Sequence, residues 1–375
     1  MTSTDELAAI LAVTNTDDRE QLHAVHSPVE TLFTWDYDKG ARPALSKLYE
    51  KAKESQWNGG TDLDWSIDVD PERVASEMQG GDYRSRFLQQ MAGMAHSPIA
   101  SWHEREWARY AMEAFSHRVS QFLHGEQGAL LCTAKIVETV PWIDAKYYAA
   151  TQVMDEARHV EVFGRYLHEK LRDPYPINAH LRMLLDDILS DSRWDMTYLG
   201  MQIMVEGLAL AAFGFMYQIA SEPLLKKLLR YVMADEARHV AFGVLSLKEV
   251  YDGLSHAEIR DRQEFAFEAT LRMRDRFMQQ EVWERLGVDV RQMMTALLAL
   301  PPEQNEFQQL MFSKIVPNCR KLGLLDAGDG WLRAKFTEIG IIDFEHARDT
   351  GEEYADFDLG PASREPARQS EETVA

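Results

Sequence analysis

The hexapeptide Asp-Glu-Ala-Arg-His-Val occurs twice, at Asp155 to Val160 and at Asp235 to Val240, and it constrains the fold more than any other stretch of the chain. Each copy carries Glu-x-x-His. Residues three apart on a helix share a face, so Glu156 with His159, and Glu236 with His239, can each present a carboxylate and an imidazole to one metal ion. Thirty positions before each motif glutamate stands another glutamate, Glu126 in His124-Gly125-Glu126-Gln127-Gly128 and Glu206 in Met204-Val205-Glu206-Gly207-Leu208. Both pairs are separated by 80 positions, so one unit is used twice: a glutamate on a first helix and Glu-x-x-His on a second. Glu126, Glu156, His159, Glu206, Glu236 and His239 make four carboxylates and two imidazoles, a ligand set for two metal ions inside a four-helix bundle.

The periodicity around these residues supplies the four helices. Apolar spacing predicts them over about 101–139, 142–171 and 195–220, and from Pro223, in a first turn, to about 251. Pro141, Pro174, Pro176 and Gly253 mark their ends. A connector helix near 180–189 lengthens the crossover between the second and third. Ahead of the bundle, Leu45, Leu48, Tyr49 and Ala52 predict a short amphipathic helix within 41–57, stopped by Asn58-Gly59-Gly60. Beyond Ser255 the pattern stays helical over 257–277 and 290–300 without a further ligand constellation. The chain therefore divides into four regions: a partly ordered N-terminal arm (1–40), the bundle with its lead-in helix (41–255), C-terminal helices packed on it (256–350) and a disordered acidic tail (351–375).

Glu206 is the most telling ligand candidate. Its neighbours Ile203, Met204, Val205, Leu208 and Leu210 leave its helix almost no polar face, and an unpaired carboxylate there would cost several kcal/mol. A cation must lie beside it, either a metal or, in the competing reading, Arg158 or Arg238 in a buried salt bridge. Asp155 and Asp235 precede the motif glutamates and suit the second ring nitrogen of a ligand histidine, each aspartate serving the histidine of the other motif. Arg158 and Arg238 would hold those aspartates. Hard oxygen ligands with only two imidazoles favour iron or manganese over zinc or copper. Phe163, Ala209, Leu210 and Phe213 lie one or two turns from ligands and either line a substrate space or pack the core, the commoner fate of such stripes; Gly125, Gly128, Gly207 and Gly214 are small enough to leave room.

Two Asp-Glu-x-Arg-His motifs, each with a single glutamate on the preceding helix, resemble the ferritin-like di-iron carboxylate oxidoreductases: bacterial multicomponent monooxygenase hydroxylases, acyl-carrier-protein desaturases and the ribonucleotide reductase small subunit. The segment Leu48-Tyr49-Glu50-Lys51-Ala52 through Gln56-Trp57-Asn58 to Asp64-Trp65-Ser66 is similar to the lead-in of reductase-like ligand-binding oxidases. The resemblance covers about residues 45–251. It implies an all-α chain, a ferritin-like four-helix bundle with additional flanking helices. It also implies that the six residues hold two iron ions, or manganese with iron, and that dioxygen oxidises, in the first place hydroxylates, a small organic substrate. Phe163 stands where the reductase radical tyrosine would be, which speaks against a radical-generating subunit. Leu210 replaces the threonine of the monooxygenases, Ala209 its desaturase equivalent, and Val232 the third histidine of the arylamine N-oxygenases. A ferroxidase or peroxide-handling metal protein is the alternative, distinguished by an acidic path in place of an apolar cavity, and an acyl desaturase comes behind it.

The remaining expectations come from charge and composition. A net charge of −21 argues against nucleic acid or an anionic membrane as partner. Cys132 and Cys319 give neither a disulfide framework nor a thiolate metal site. Residues 1–19 lack the apolar run of a signal peptide, and the most apolar run, Gly207 to Met216, is too short to span a bilayer, so a cytoplasmic protein is expected. No flavin or nicotinamide fingerprint is present, so electrons must come from an external reductase or ferredoxin. A homodimer is the ordinary assembly of the class.

Overall fold

The computed structural model describes residues 3–13, 21–38, 40–81, 86–94, 96–171, 174–299 and 306–348; the expected acidic tail at 351–375 lies outside them. The helices in chain order are α1 (Ser3–Ala12), α2 (Pro43–Glu54), α3 (Pro71–Glu77), α4 (Arg86–Ala92), α5 (Glu104–Thr139), α6 (Ile143–Lys170), α7 (Ala179–Ser190) and α8 (Trp194–Tyr198). A π-helical turn, Leu199–Val205, joins α8 to α9 (Glu206–Ile219), which leads into α10 (Pro223–Tyr251), α11 (His256–Arg276), α12 (Gln280–Arg285), α13 (Val290–Leu298), α14 (Glu306–Lys321) and α15 (Trp331–Glu338). No strand occurs among the described residues.

The bundle is α5, α6, α9 and α10. Residues 140–142 join α5 to α6 and 220–222 join α9 to α10, and such short connections make each pair antiparallel neighbours. Caps fix the second pair: Pro223 opens α10 while the Glu222 carboxylate accepts hydrogen bonds from the Leu224 and Leu225 amides at 2.7 and 2.6 Å. The crossover between pairs runs through α7, whose Asn178 side chain caps it, accepting from the His180 and Leu181 amides. α2 lies against α6 and α10, α11 against α7 and the π turn, and α14 against α9.

The ligand candidates form a polar layer between two apolar clusters. On α5, Phe122 packs in one cluster and Ala129 in the other, with Glu126 between them; Val205 at the end of the π turn and Leu210 on α9 flank Glu206 in the same way. Each bundle helix is therefore amphipathic along its length as well as around it. That placement needs a cationic layer in mid-core, since burying ions without partners costs several kcal/mol each.

Sequence and structure differ in three places. The predicted continuous helix over 195–220 contains the π turn, which widens each turn by a residue and so re-phases α9, beginning with Glu206. Two glycines admit it. A Cβ on Gly243 of α10 would sit 2.6 Å from the Gln202 Cβ, and one on Gly200 would sit 2.5 Å from the Ile188 side chain of α7. Second, the apolar helix is longer than the run 207–216: Trp194–Ile219, 26 residues, passes by length and composition for a membrane span. Its apolar window is 83% buried inside the fold. Third, Ser3–Ala12 within the N-terminal arm is a helix, with Ile10 fully buried and Glu6 in an ion pair with Arg274 of α11 at 2.5 Å.

α11 is also pinned to the bundle by a buried pair. Arg262 donates in bidentate fashion to Asp195, at 2.9 and 3.0 Å, with both side chains under one-tenth exposed. Asp195→Ala leaves that guanidinium without its partner, so equilibrium denaturation is expected to show a loss of about 3–5 kcal/mol, and a loss below ~1 kcal/mol would count against the pair.

Candidate metal centre

All six predicted ligand residues meet in this layer, and none is more than 4% exposed. Glu126 comes from α5, Glu156 and His159 from α6, Glu206 from the first turn of α9, and Glu236 and His239 from α10. The imidazoles face inward through Nδ1. His159 Nδ1 lies 3.2 Å from Glu126 Oε2, 3.5 Å from Glu156 Oε2 and 3.0 Å from Glu236 Oε1. His239 Nδ1 lies 3.0 Å from Glu156 Oε1 and 3.5 Å from Glu236 Oε2. Glu156 and Glu236 therefore turn one oxygen toward each histidine, while Glu126 belongs to the His159 side. Glu206 joins Glu156 and His239 in a second group of closely placed donor atoms.

These approaches leave buried donors and acceptors unsatisfied. Glu156 Oε2, Glu206 Oε2, both oxygens of Glu236 and His239 Nδ1 have no hydrogen-bond partner among the described residues. Such atoms normally find partners, and orphaning one costs about 1–3 kcal/mol. Carboxylate oxygens and imidazole nitrogens clustered within 4.8 Å of one another fit hard divalent cations, so the donor set passes the test of holding two.

The electrostatics point the same way. Burial, and after it the Glu236 charge, push the Glu126 carboxyl well above its ordinary range; burial and the Glu156 charge do so for Glu206. Burial opposes a charge on His159, but the Glu126 charge together with the hydrogen bonds to Asp235, Glu126 and Glu156 outweighs it and raises the imidazole pKa well above its usual value. Protons on imidazoles and carboxyls stand in here for cations.

A collar of polar groups orients the imidazoles. His159 Nε2–H donates to Asp235 at 3.1 Å and His239 Nε2–H to Asp155 at 3.4 Å, so each histidine is held by the aspartate of the other motif. Arg158 bonds both aspartates, at 2.5 and 3.0 Å, and Arg238 bonds Asp235 and, at 3.5 Å, Asp155. The two arginines are thus committed to the aspartates, which speaks against the salt-bridge reading of Glu206. Burial works against ionised Asp235, yet the Arg238 charge and the His159 bond hold its carboxyl far below the ordinary range. Asp235→Asn weakens that grip on His159, and metal affinity measured against a competing chelator is expected to drop about 10–100-fold.

Three contributors were not read as site residues from the sequence. Gln152, one turn before Glu156, donates to Glu156 and Glu206 at 3.0 Å each, and its repeat counterpart is Val232, so the duplication gives no hint of it. Trp57 Nε1–H donates to Asp235 at 2.8 Å and Gln56 to Asp155 at 3.0 Å, which plugs the loop after α2 under the aspartates. The Arg158 guanidinium lies over the Trp57 ring at 4.5 Å. A cleft reaches Glu126, Glu206 and Glu236 from the α5–α9 side, walled by Phe122, Gly125, Ala129, Val205 and Ala209, with Gln121 and Arg276. Of the candidate substrate-lining residues, Ala209 and Gly125 line it, whereas Phe163, Leu210 and Phe213 pack in the core. Gly128 is closed off by Leu185, whose Cδ2 would lie 2.5 Å from an added Cβ.

No family model matches the chain, and neither does any curated protein. Among solved structures, two R2-like ligand-binding oxidase mutants with anaerobically reconstituted Mn/Fe cofactor are similar to it. The tyrosine-to-phenylalanine mutant superposes with a TM-score of 0.52 at 19% identity, covering 76% of this chain and 95% of that one. The valine-to-isoleucine mutant gives 0.51 at 18%, covering 76% and 94%. The chain has this ferritin-like, R2-type helical fold. The oxidase with aerobically reconstituted Mn/Fe cofactor gives 0.50 at 17% identity over 76% and 94% of the two chains. At such identities the likeness is one of fold, and chemistry has to be argued from the residues.

Proposed function

We propose that Glu126, Glu156, His159, Glu206, Glu236 and His239 hold two iron ions, or manganese with iron, and that the protein uses dioxygen to oxidise a small organic substrate in the adjoining cleft. The observation that carries this reading is the set of orphaned, fully buried carboxylate oxygens facing two imidazoles whose other nitrogens are already committed to aspartates. The Mn/Fe cofactor of the R2-like oxidases supports the same pair of metals here. Bound ions of this kind supply one-electron steps and dioxygen chemistry that no side chain offers.

The chain's own residues supply the rest. Asp155 and Asp235 fix the tautomer in which each Nδ1 presents its lone pair, and Arg158 and Arg238 hold those aspartates in place. Gln152 steadies Glu156 and Glu206. Phe122, Ala129 and Val205 exclude water from the face where substrate would sit. These apolar walls favour an organic substrate, hydroxylation being the first chemistry to test, over the ferroxidase alternative, whose iron would need an acidic path. Reducing equivalents come from a separate donor protein.

The test is anaerobic loading with ferrous iron, elemental analysis, and optical spectra on admitting oxygen. About two metals per chain with an oxygen-dependent absorbance change supports the reading. Protein that retains no metal, or metal-loaded protein indifferent to oxygen, sinks it.

A further inference from the structure

The two sides of the metal layer differ in character. Around Phe122, Phe163, Phe213 and Val232 the packing is apolar. Toward the start of α8 and the end of α10, which the antiparallel pairing brings together, polar side chains are threaded through the core. Glu206, Gln202 and Tyr198 follow one another at four-residue steps back from α9 through the π turn to α8, and Asp195 lies three residues further on. Residues at these steps share a face, so they form one polar stripe running away from the metal layer. Gln202 is fully buried, and neither its Oε1 nor its Nε2 has a hydrogen-bond partner among the described residues. The same holds for the buried hydroxyls of Thr197, Tyr198, Ser246 and Tyr251.

These groups approach one another without closing bonds. The Tyr198 hydroxyl faces Ser246 of α10, and the Tyr251 hydroxyl faces the Asp195 carboxylate, each near enough to feel its neighbour and each outside hydrogen-bond geometry. Asp195 is held by Arg262 at 2.9 and 3.0 Å and also feels the charge of Arg193, whose side chain is 41% exposed. At the inner end Gln152 donates to Glu206 at 3.0 Å. The stripe therefore spans from a metal ligand to solvent. A buried amide or hydroxyl left without a partner costs about 1–3 kcal/mol, and proteins satisfy such groups with interior water that makes about three hydrogen bonds per molecule. Hydroxyls that both donate and accept, and an amide that does each from one end, suit that role.

We propose that Gln202, Tyr198, Ser246 and Tyr251 hold a file of interior water that carries protons from solvent near Arg193 to the metal position of Glu206 and His239. This deepens the dimetal reading and rests on it. Reducing dioxygen consumes protons as well as electrons. The cleft on the α5–α9 side is walled by Phe122, Ala129 and Val205, so protons need a second approach that leaves that side dry. In each transfer the water on Gln202 gives a proton toward the metal position and takes one from the water between Tyr198 and Ser246. That water is replenished from the Asp195 end. Nothing along the file is oxidised or reduced, and every group recovers its own proton. Gln202 and Tyr198 touch water and not substrate, so they are positioning residues.

The experiment compares full-length wild type with Gln202→Leu, Gln202→Ser and Tyr198→Phe by two readouts. Crystals of manganese-loaded protein, at a resolution that shows ordered water, are expected to contain waters bonded to Gln202, Tyr198 and Ser246 in wild type and to lose them in Gln202→Leu. Rapid mixing of anaerobically iron-loaded protein with oxygen, in H2O and in D2O, reads the proton step. Gln202→Leu and Tyr198→Phe should slow the oxygen-dependent absorbance change on the order of 100-fold, the low end of what a positioned proton transfer contributes, and enlarge its solvent isotope effect. Both should keep the wild-type metal content. Gln202→Ser leaves a hydroxyl and room for water, and should recover much of the rate. A stripe packed dry in wild type overturns the proposal. So does a wet stripe whose variants keep the wild-type rate, or slow it with no change in isotope effect. Absence of metal uptake by wild type removes the dimetal reading and this proposal with it; uptake and an oxygen response with a dry stripe remove this proposal alone.

Discussion

Glu236→Ala is expected to take the metal content from about two ions per chain to near zero, while Glu206→Ala leaves about one. The difference comes from reach. Glu236 places one oxygen 3.0 Å from the Nδ1 of His159 and the other 3.5 Å from that of His239, so it belongs to both positions. Glu206 is grouped only with Glu156 and His239. Its loss strips one position of a charge and leaves Glu126, His159 and the shared carboxylates for the other. Glu156→Ala should behave like Glu236→Ala, and Glu126→Ala like Glu206→Ala. Elemental analysis of anaerobically loaded protein reads all four. One ion kept by Glu236→Ala, with none kept by Glu206→Ala, would reverse the assignment of shared and terminal groups.

That contrast could not be had from the chain alone, although the six residues could. Metal ligation needs particular residue types at fixed helical offsets, and a duplicated unit writes those offsets twice, which is why Glu126 and Glu206 stand out beside Glu156 and Glu236. Helix limits were legible to within a few residues for the bundle because Pro141, Pro223 and Gly253 punctuate it. The π turn at Leu199–Val205 was not legible, since its residues carry the same apolar signal as an ordinary helix and the extra residue per turn is fixed by packing against α7, α10 and α11.

Residues outside the repeat were hidden for a related reason. Gln152 has no counterpart in the second unit, and Trp57 reaches Asp235 across 178 positions of sequence. Arg276 looks in sequence like one more charge on a strongly charged helix, in the run Arg272-Met273-Arg274-Asp275-Arg276. Only the packing of α11 separates it from its paired neighbours and shows its buried, unmatched nitrogen at the cleft. Local pattern thus reports what a residue can do, and tertiary placement reports which of several similar residues does it.

The same unmatched charges predict how stability responds to metal. With free ion at about 100 times the dissociation constant, each site adds roughly 2.7 kcal/mol, so two sites add ~5 kcal/mol. Unfolding entropy of about 2.1 cal/mol/K per residue gives ~0.8 kcal/mol/K for 375 residues. The melting temperature should therefore rise on the order of 5–10 °C on anaerobic loading. Glu236→Gln should act with opposite sign in the two states. In metal-free protein the Glu236 charge presses on Glu126 and Glu206, raising the pKa of both, and both its oxygens are unsatisfied. The neutral amide relieves that repulsion, so the metal-free melting temperature should rise. In loaded protein the amide removes a charged ligand from both positions, and the metal-induced rise should largely vanish. Differential scanning calorimetry of wild type and Glu236→Gln, each with and without metal, gives the four values. A variant less stable than wild type in the absence of metal would mean that Glu236 is held by protein contacts, and that the layer between the two apolar clusters needs no cations.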